Sequence, residues 1–174
     1  AEVRDLDITL GSVAVRGALT ANPASLVTGQ LAVTAGDLRD LAPLVLAEIA
    51  GKLELMANFD AADGKQAARV TGSASRIDAF GVTLTDAKVN ANGRDLFKAP
   101  AFNGQLDIDG VATGGLTISR AKLTAEGQGN ATDLNLSAVV QGADLVTSAR
   151  ITPTDQGVDA LVRRLTLTRG QTLS

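Results

Sequence analysis

Along most of the chain, apolar and polar residues alternate one by one, which is typical of strands that bury one face. In the first run, Leu6, Ile8 and Leu10 alternate with aspartates and a threonine. Turn signals such as Gly11–Ser12 and Asp63–Gly64 separate this run from others with the same period. About a dozen such strands at regular spacing predict an all-β protein.

One strand unit occurs twice. Residues 81–93 read GVTLTDAKVNANG and residues 115–127 read GLTISRAKLTAEG. In both copies the alternation changes phase, between Leu84 and Ala87 and between Ile118 and Ala121, which predicts a bulge or corner at the same place in each. A repeated strand unit is typical of stacked modules. It favours an extended surface or conduit over a single catalytic site.

A helical period interrupts the strands near residues 40–50. Asp37 or Asp40 can cap the N-terminus, Pro43 is tolerated in the first turn, and Gly51 is a natural end. The apolar stripe has no other partner in the sequence, so we expect it to pack onto the apolar face of the sheet. This stripe consists of Leu41, Leu44, Val45 and Ile49.

Composition argues against an enzyme. The chain has 174 residues with no His, Cys, Trp or Tyr, and only 2% of them are aromatic. Ser-His-Asp and Cys-His catalytic sets are therefore impossible, and zinc sites lack their usual ligands. A net charge of −3 provides no basic field for nucleic acid. We expect no catalytic residues, no cofactor, no metal and no nucleic-acid partner.

Few residues invite a chemical interpretation, and each has a plainer one. Asp107 and Asp109, followed by Gly110, could bind calcium, but a calcium loop needs more oxygen ligands, and alternation predicts a solvated outer face. Arg163 and Arg164 could contact lipid headgroups or an acidic partner, although an exposed strand end explains them too. The longest apolar stretch, 41–50, is shorter than the roughly 20 residues that span a bilayer.

The side chains available to fill a core are medium aliphatics, with almost no aromatics. This favours an elongated, curled antiparallel sheet with an aliphatic lining over a compact sandwich. We treat residues 1–174 as one domain, and expect it to be a segment of a longer protein because the chain starts without Met inside strand-like sequence. The predicted groove lining is Leu6, Ile8, Leu10, Val13, Val15, Leu31, Val33, Leu53, Leu55, Phe59, Val70, Leu84, Val89, Leu106, Ile108, Leu116, Ile118, Leu123, Leu134, Leu136, Leu145, Ile151, Leu165 and Leu167.

Several segments resemble the β-repeat region of the TamB (translocation and assembly module) family, which shares the AsmA-like architecture of bridge-like lipid transfer proteins. They are GDLRDLAPL at 36–44, GKLEL at 51–55, DAKVNANGRDLFKAPAFNGQLDI at 86–108 and LVRRLTLTRG at 161–170. The resemblance implies a sheet that curls into a taco-like, U-shaped body with an aliphatic concave groove. It places this body in the periplasm of a Gram-negative bacterium. It also implies an upstream anchor in the inner membrane and the TamA outer-membrane barrel as partner of the full-length protein.

Two clients suit such a groove. Phospholipid acyl chains need dispersion contacts and shelter from water but no directional bonds. Unfolded outer-membrane protein strands could instead pair with a sheet edge. The leading hypothesis is a non-enzymatic conduit or chaperone segment for phospholipid transport, outer-membrane protein assembly, or both. The alternative is a closed β-solenoid stalk or adhesin segment of a secreted surface protein, with a dry core.

Overall fold

In the described residues of the computed structural model, eleven strands form one antiparallel sheet in chain order, and the sheet curls without closing. The structure describes residues 2–98, 100–154 and 157–169. The prediction of an all-β, curled antiparallel sheet with one short helix is confirmed. The strands are β1 (Glu2–Leu10), β2 (Val13–Ala21), β3 (Val27–Ala35), β4 (Ile49–Ala62), β5 (Lys65–Ala79), β6 (Val82–Arg94), β7 (Ala101–Thr113), β8 (Leu116–Gln128), β9 (Ala131–Val140), β10 (Ala143–Thr154) and β11 (Gly157–Arg169).

Short hairpin turns explain the simple strand order. Four two-residue turns have positive φ at both positions, as in a type I′ turn, whose twist matches that of paired strands. Strands joined this way must be antiparallel neighbours. The four turns are Asp63–Gly64, Phe80–Gly81, Gly114–Gly115 and Gln141–Gly142.

The helical segment is shorter than the sequence indicates. It consists of a 3-10 helix, Leu38–Leu41, and a single turn of α-helix, α1 (Ala42–Val45). Asp37 is the N-cap, and its side chain accepts a hydrogen bond from the Arg39 amide at 3.0 Å. Leu46, in the left-handed conformation, ends the segment. The predicted extension to residue 50 is wrong because Ile49 already pairs with Ala79 of β5, and strand pairing replaces helical hydrogen bonds there.

The predicted change of phase has a structural counterpart. In the second copy the register between β8 and β9 shifts between Ile118 and Arg120, which confirms the bulge there. In the first copy the pairing of β5 with β6 skips Arg76 and Thr85. Arg76 has a φ of 51°, so the backbone turns over at this point and the apolar side chains beyond it change phase.

Burial is slight because the sheet has no second layer across most of its width. Among the described residues, the buried apolar side chains are few and small to medium in size, and no large side chain is fully buried. The buried polar residue is Gln66, whose amide bonds to both Val27 N (2.7 Å) and Val27 O (2.8 Å) and so ties β5 to the start of β3. The buried apolar residues are Val13, Ala14, Leu26, Ala35, Ala121 and Ala138.

Candidate functional site

Strand pairing assigns the predicted groove residues to one face. Directly paired residues of antiparallel strands project from the same side, so pairs can be followed from strand to strand. We call the side that carries Leu55 the apolar face and the opposite side the polar face. A central row of the apolar face crosses the whole sheet: Ile8, Val15, Val33, Leu55, Gly72, Val89, Leu106, Leu123, Leu136, Thr147 and Leu165.

Three more rows flank the central one, and they too are almost entirely apolar. The first contains Leu10, Val13, Ala35, Leu53, Ala74, Ala87, Ile108, Ala121, Ala138, Leu145 and Leu167. The second contains Leu6, Gly17, Leu31, Ala57, Val70, Ala91, Gly104, Ala125, Leu134, Ala149 and Val162. The third contains Leu19, Gly29, Phe59, Ala68, Gly93, Phe102, Gly127, Thr132, Ile151 and Ala160.

Leu84, Leu116 and Ile118 are the predicted lining residues that lie outside these rows. Val111 of β7 is paired with Leu84 of β6 and with Ile118 of β8. These pairs lie beyond the point where pairing skips one residue in each strand. Leu116 is paired with Thr113. Leu84 and Ile118 are half-buried like the central rows, whereas Leu116 is exposed. The interruption therefore separates a small apolar strip from the four main rows.

Glycine and alanine residues are interspersed among the large side chains of the apolar face, a feature that the sequence analysis missed. The Leu55 side chain lies over Gly72, where an added Cβ would come within 2.3 Å of it. The Phe102 ring likewise covers Gly127, leaving 2.0 Å for a Cβ. Glycines in the apolar phase of a strand were the available signal. They leave room for a large side chain of the neighbouring strand to lie over them.

The predicted packing of the helix onto the groove is wrong for most of its stripe. Leu44 and Val45 are exposed, Leu41 is half-buried, and Ile49 belongs to β4. A single α-helical turn is too short to keep an apolar stripe against the sheet. It is the 3-10 helix that lies against β2 and β4. Val13 in β2 and its partner Ala35 at the end of β3 are buried.

The polar face carries a ladder of amides and charges at one end of the strands. Arg69 donates a hydrogen bond to Asn92 at 2.7 Å, and Asn92 donates to Asn103 at 3.2 Å. A cavity of about 1290 Å³ is lined mainly by this ladder, from Asn58 on β4 to Arg150 on β10. Two further cavities, of about 520 and 630 Å³, are also lined mainly by polar-face residues, so the concavity that these cavities mark lies on the polar face.

An ion-pair cluster joins the last three strands on the polar face. Asp133 accepts a hydrogen bond from Arg150 Nε at 2.9 Å and lies 3.1 Å from Arg163 Nη1. The hydrogen bond from Arg150, with the positive charges of both arginines, lowers the pKa of Asp133 below its usual value. Arg163 and Arg164 are therefore not a strand end, since both lie inside β11.

Asp107 and Asp109 lie on the polar face, opposite Leu106 and Ile108. Asp107 is paired with Lys88 and Lys122 on the two neighbouring strands, and its carboxylate accepts a hydrogen bond from the Gln105 side-chain amide. Across the residues that the structure describes, no three acidic, His or Cys side chains form a group that could hold a metal ion. Residues of opposite charge directly across two strands stabilise a sheet, which gives Asp107 a structural role.

Within the described ranges, neither helical segment has the length or apolar character needed to cross a bilayer. Comparison of the chain with protein-family models, curated proteins and solved structures gives no match.

Proposed function

We propose that this protein is a non-enzymatic conduit segment whose apolar face holds phospholipid acyl chains. The observation that supports the proposal is the apolar face itself, which extends over eleven strands with no second layer on most of it. Soluble proteins seldom leave an apolar surface of this extent open to water without a ligand or partner for it.

The chemistry of the face suits a mobile acyl chain. Its rows offer aliphatic carbon and backbone covered by flat-lying side chains, as Leu55 lies over Gly72. Dispersion contacts of this kind are many and individually weak, and they have no preferred direction. A chain held by such contacts can slide from one strand to the next without crossing a high barrier.

The setting that we propose comes from the resemblance to the TamB family. In that setting the segment lies in the periplasm of a Gram-negative bacterium and carries phospholipid between the inner and outer membranes. The full-length protein would be anchored in the inner membrane and would meet the TamA barrel at the outer membrane. Residue patterns alone support this part of the proposal.

A second client is favoured by the sheet edge at β11. All described residues of this strand are exposed, and one side of its backbone has no neighbouring strand in the sheet. An edge of 13 residues can accept an extended polypeptide by strand addition. This observation supports a role in assembling unfolded outer-membrane protein strands, alongside lipid transport or instead of it.

The alternative, a closed β-solenoid stalk or adhesin, requires a dry interior. The sheet does not close, and its pairs are all antiparallel neighbours in chain order. The closed core on which that alternative depends is therefore not formed by these strands.

A pair of substitutions on neighbouring residues tests the conduit. Leu136 is half-buried on the apolar face, and Asn135 is exposed on the polar face. Leu136→Arg should lower binding of a fluorescent acyl-chain probe about tenfold or more, because it places a charge among aliphatics. Asn135→Arg, the matched control, adds the same group one residue away and should leave probe binding unchanged.

Circular dichroism and protease resistance establish that both variants fold. An arginine on an uncovered face can reach water, so Leu136→Arg should remain folded. A folded Leu136→Arg protein that binds the probe as tightly as the original chain would refute the conduit. Mass spectrometry of lipid that copurifies with the original chain provides an independent measurement.

A further inference from the structure

Two exposed turns project large apolar side chains from one end of the sheet. Leu46 follows α1, and Phe80 is the first residue of the β5–β6 turn. They are 90% and 82% exposed, the highest values among the exposed large hydrophobic residues of the described ranges. Burial within the chain therefore does not explain either side chain.

Both residues also adopt a backbone conformation that is unfavourable for large apolar residue types. Leu46 has a φ of 52° and Phe80 a φ of 53°. In the described part of the chain, the other non-glycine residues with positive φ are all polar. The three comparable turns have Asp63, Gly114 and Gln141 at the position of Phe80. Asp and Gly are preferred residues at this positive-φ position, and Gln is polar. Strained residues that persist at exposed positions indicate a function at those positions.

Strand pairing brings the two turns together. Ile49 is paired with Ala79, so the segment that follows Leu46 and the turn at Phe80 lie at the same end of adjacent strands. Leu44 and Val45 are exposed beside Leu46. We call these four residues, Leu44, Val45, Leu46 and Phe80, the apical cluster.

Hydrogen bonds tie the base of the cluster to the β1–β2 turn. Asp40 accepts a hydrogen bond from the Ser12 amide at 2.6 Å, and Ser12 Oγ accepts one from the Asp37 amide at 2.8 Å. These bonds hold the segment between β3 and β4 against the β1–β2 turn. The exposed apolar side chains therefore belong to a segment that is tethered to the sheet.

We propose that the apical cluster inserts into the interfacial region of a phospholipid bilayer. Protruding apolar tips fit a fluid lipid surface, which needs no pocket of matching shape. Charges of both signs stand just behind the tips and would reach the headgroup level, where zwitterionic headgroups present both signs in turn. These charged residues are Glu48, Lys52, Arg76 and Asp78, all of them exposed. Binding should therefore not require anionic lipid.

The opposite end of the sheet provides a matched control. Phe97 is 68% exposed in the segment between β6 and β7, and its φ is not positive. It shares the residue type of Phe80 and is also largely exposed, but no second exposed large apolar residue accompanies it in the described part of the β6–β7 segment. Nonspecific adhesion of apolar side chains would involve both phenylalanines equally.

The first measurement is sedimentation of the chain with phosphatidylcholine vesicles. Phe80→Asn and Leu46→Asn should each weaken vesicle binding about tenfold or more, since an apolar side chain no longer enters the bilayer. Asn is favoured at positive φ, so neither substitution should lower the unfolding temperature. Phe97→Asn should bind vesicles like the original chain. Addition of phosphatidylglycerol should change none of these results appreciably.

A second measurement uses the absence of Trp from the chain. Phe80→Trp should show a blue-shifted emission with vesicles and quenching by lipids brominated near the headgroup, whereas Phe97→Trp should show neither. Equal losses for Phe80→Asn and Phe97→Asn, or an unshifted Trp emission at position 80, would overturn the proposal. Binding of the soluble acyl-chain probe should survive both Asn substitutions at the tips, so failure of the conduit and failure of the membrane contact remain distinguishable.

Discussion

The corner formed by β2, β3 and the 3-10 helix differs from the edge strand β11, although both belong to the same apolar rows. Val13 and Leu167 lie in one row, yet Val13 is 7% exposed and Leu167 is 68% exposed. The corner has the 3-10 helix against it, and β11 has a neighbour on one side only. Identical alternation therefore leads to opposite environments, and cover by other elements decides which residues stabilise the fold.

A charge introduced into each region should give the largest difference in unfolding free energy between them. Val13→Asp would place a carboxylate under the 3-10 helix, close to Asp40 of the same corner, and should cost about 3–5 kcal/mol of unfolding free energy. Leu165→Asp, on the apolar face of β11, should change it by less than about 0.5 kcal/mol. Urea unfolding of both variants measures the difference. Similar losses in the two would mean that β11 is covered in solution.

Two glycines in one row of the apolar face differ in how closely the backbone of the next strand approaches them. A Cβ at Gly17, in β2, would approach the Gln30 carbonyl oxygen to 2.1 Å. Gly17→Ala should therefore destabilise the protein by about 1–3 kcal/mol. At Gly104, in β7, the nearest atom is the Ala91 Cβ at 3.6 Å, an ordinary contact.

Gly104→Ala should accordingly leave stability unchanged or raise it by about 0.4–1 kcal/mol, because it restricts the unfolded chain without a clash. Thermal unfolding followed by circular dichroism measures both variants. A larger loss of stability for Gly104→Ala than for Gly17→Ala would contradict the close approach of the backbone at Gly17 and the open space at Gly104.

Acid should weaken both regions slightly, through different carboxylates. Hydrogen bonding from Arg150 lowers the pKa of Asp133, and hydrogen bonding from Ser12 lowers that of Asp40. A carboxyl group whose pKa is lower in the folded state stabilises the fold above its unfolded value, 3.8, and this contribution is lost as pH falls through the lower folded value.

Stability should thus decrease below about pH 4, and Asp133→Asn should remove part of that decrease. The effect is small because these groups are solvated. Unfolding midpoints between neutral and acidic pH measure it for the original chain and the variant. An unchanged acid dependence in Asp133→Asn would mean that this cluster does not contribute.

Much of the site could be predicted because side-chain direction in a strand is a local property. Leu55, Leu106 and Leu136 were assigned to one face from period two alone, and strand pairing places them in one row. The phase change at Ile118 was visible for the same reason. The role of Gly72 and Gly127 beneath large neighbours could not be predicted, because it depends on which residue of the next strand lies opposite each glycine.

What the sequence by itself determined is therefore the all-β class, the division of each strand into an apolar and a polar side, and the place of the single helical interruption. These follow from residue spacing within a strand, which needs no information from distant parts of the chain. Only the tertiary structure decided that Ile49 joins a strand, that Leu44 and Val45 face outward, and that Val13 is buried while Leu167 is not. Those outcomes depend on which strands pair and on which elements cover them. The hydrophobic period along the chain does not specify either.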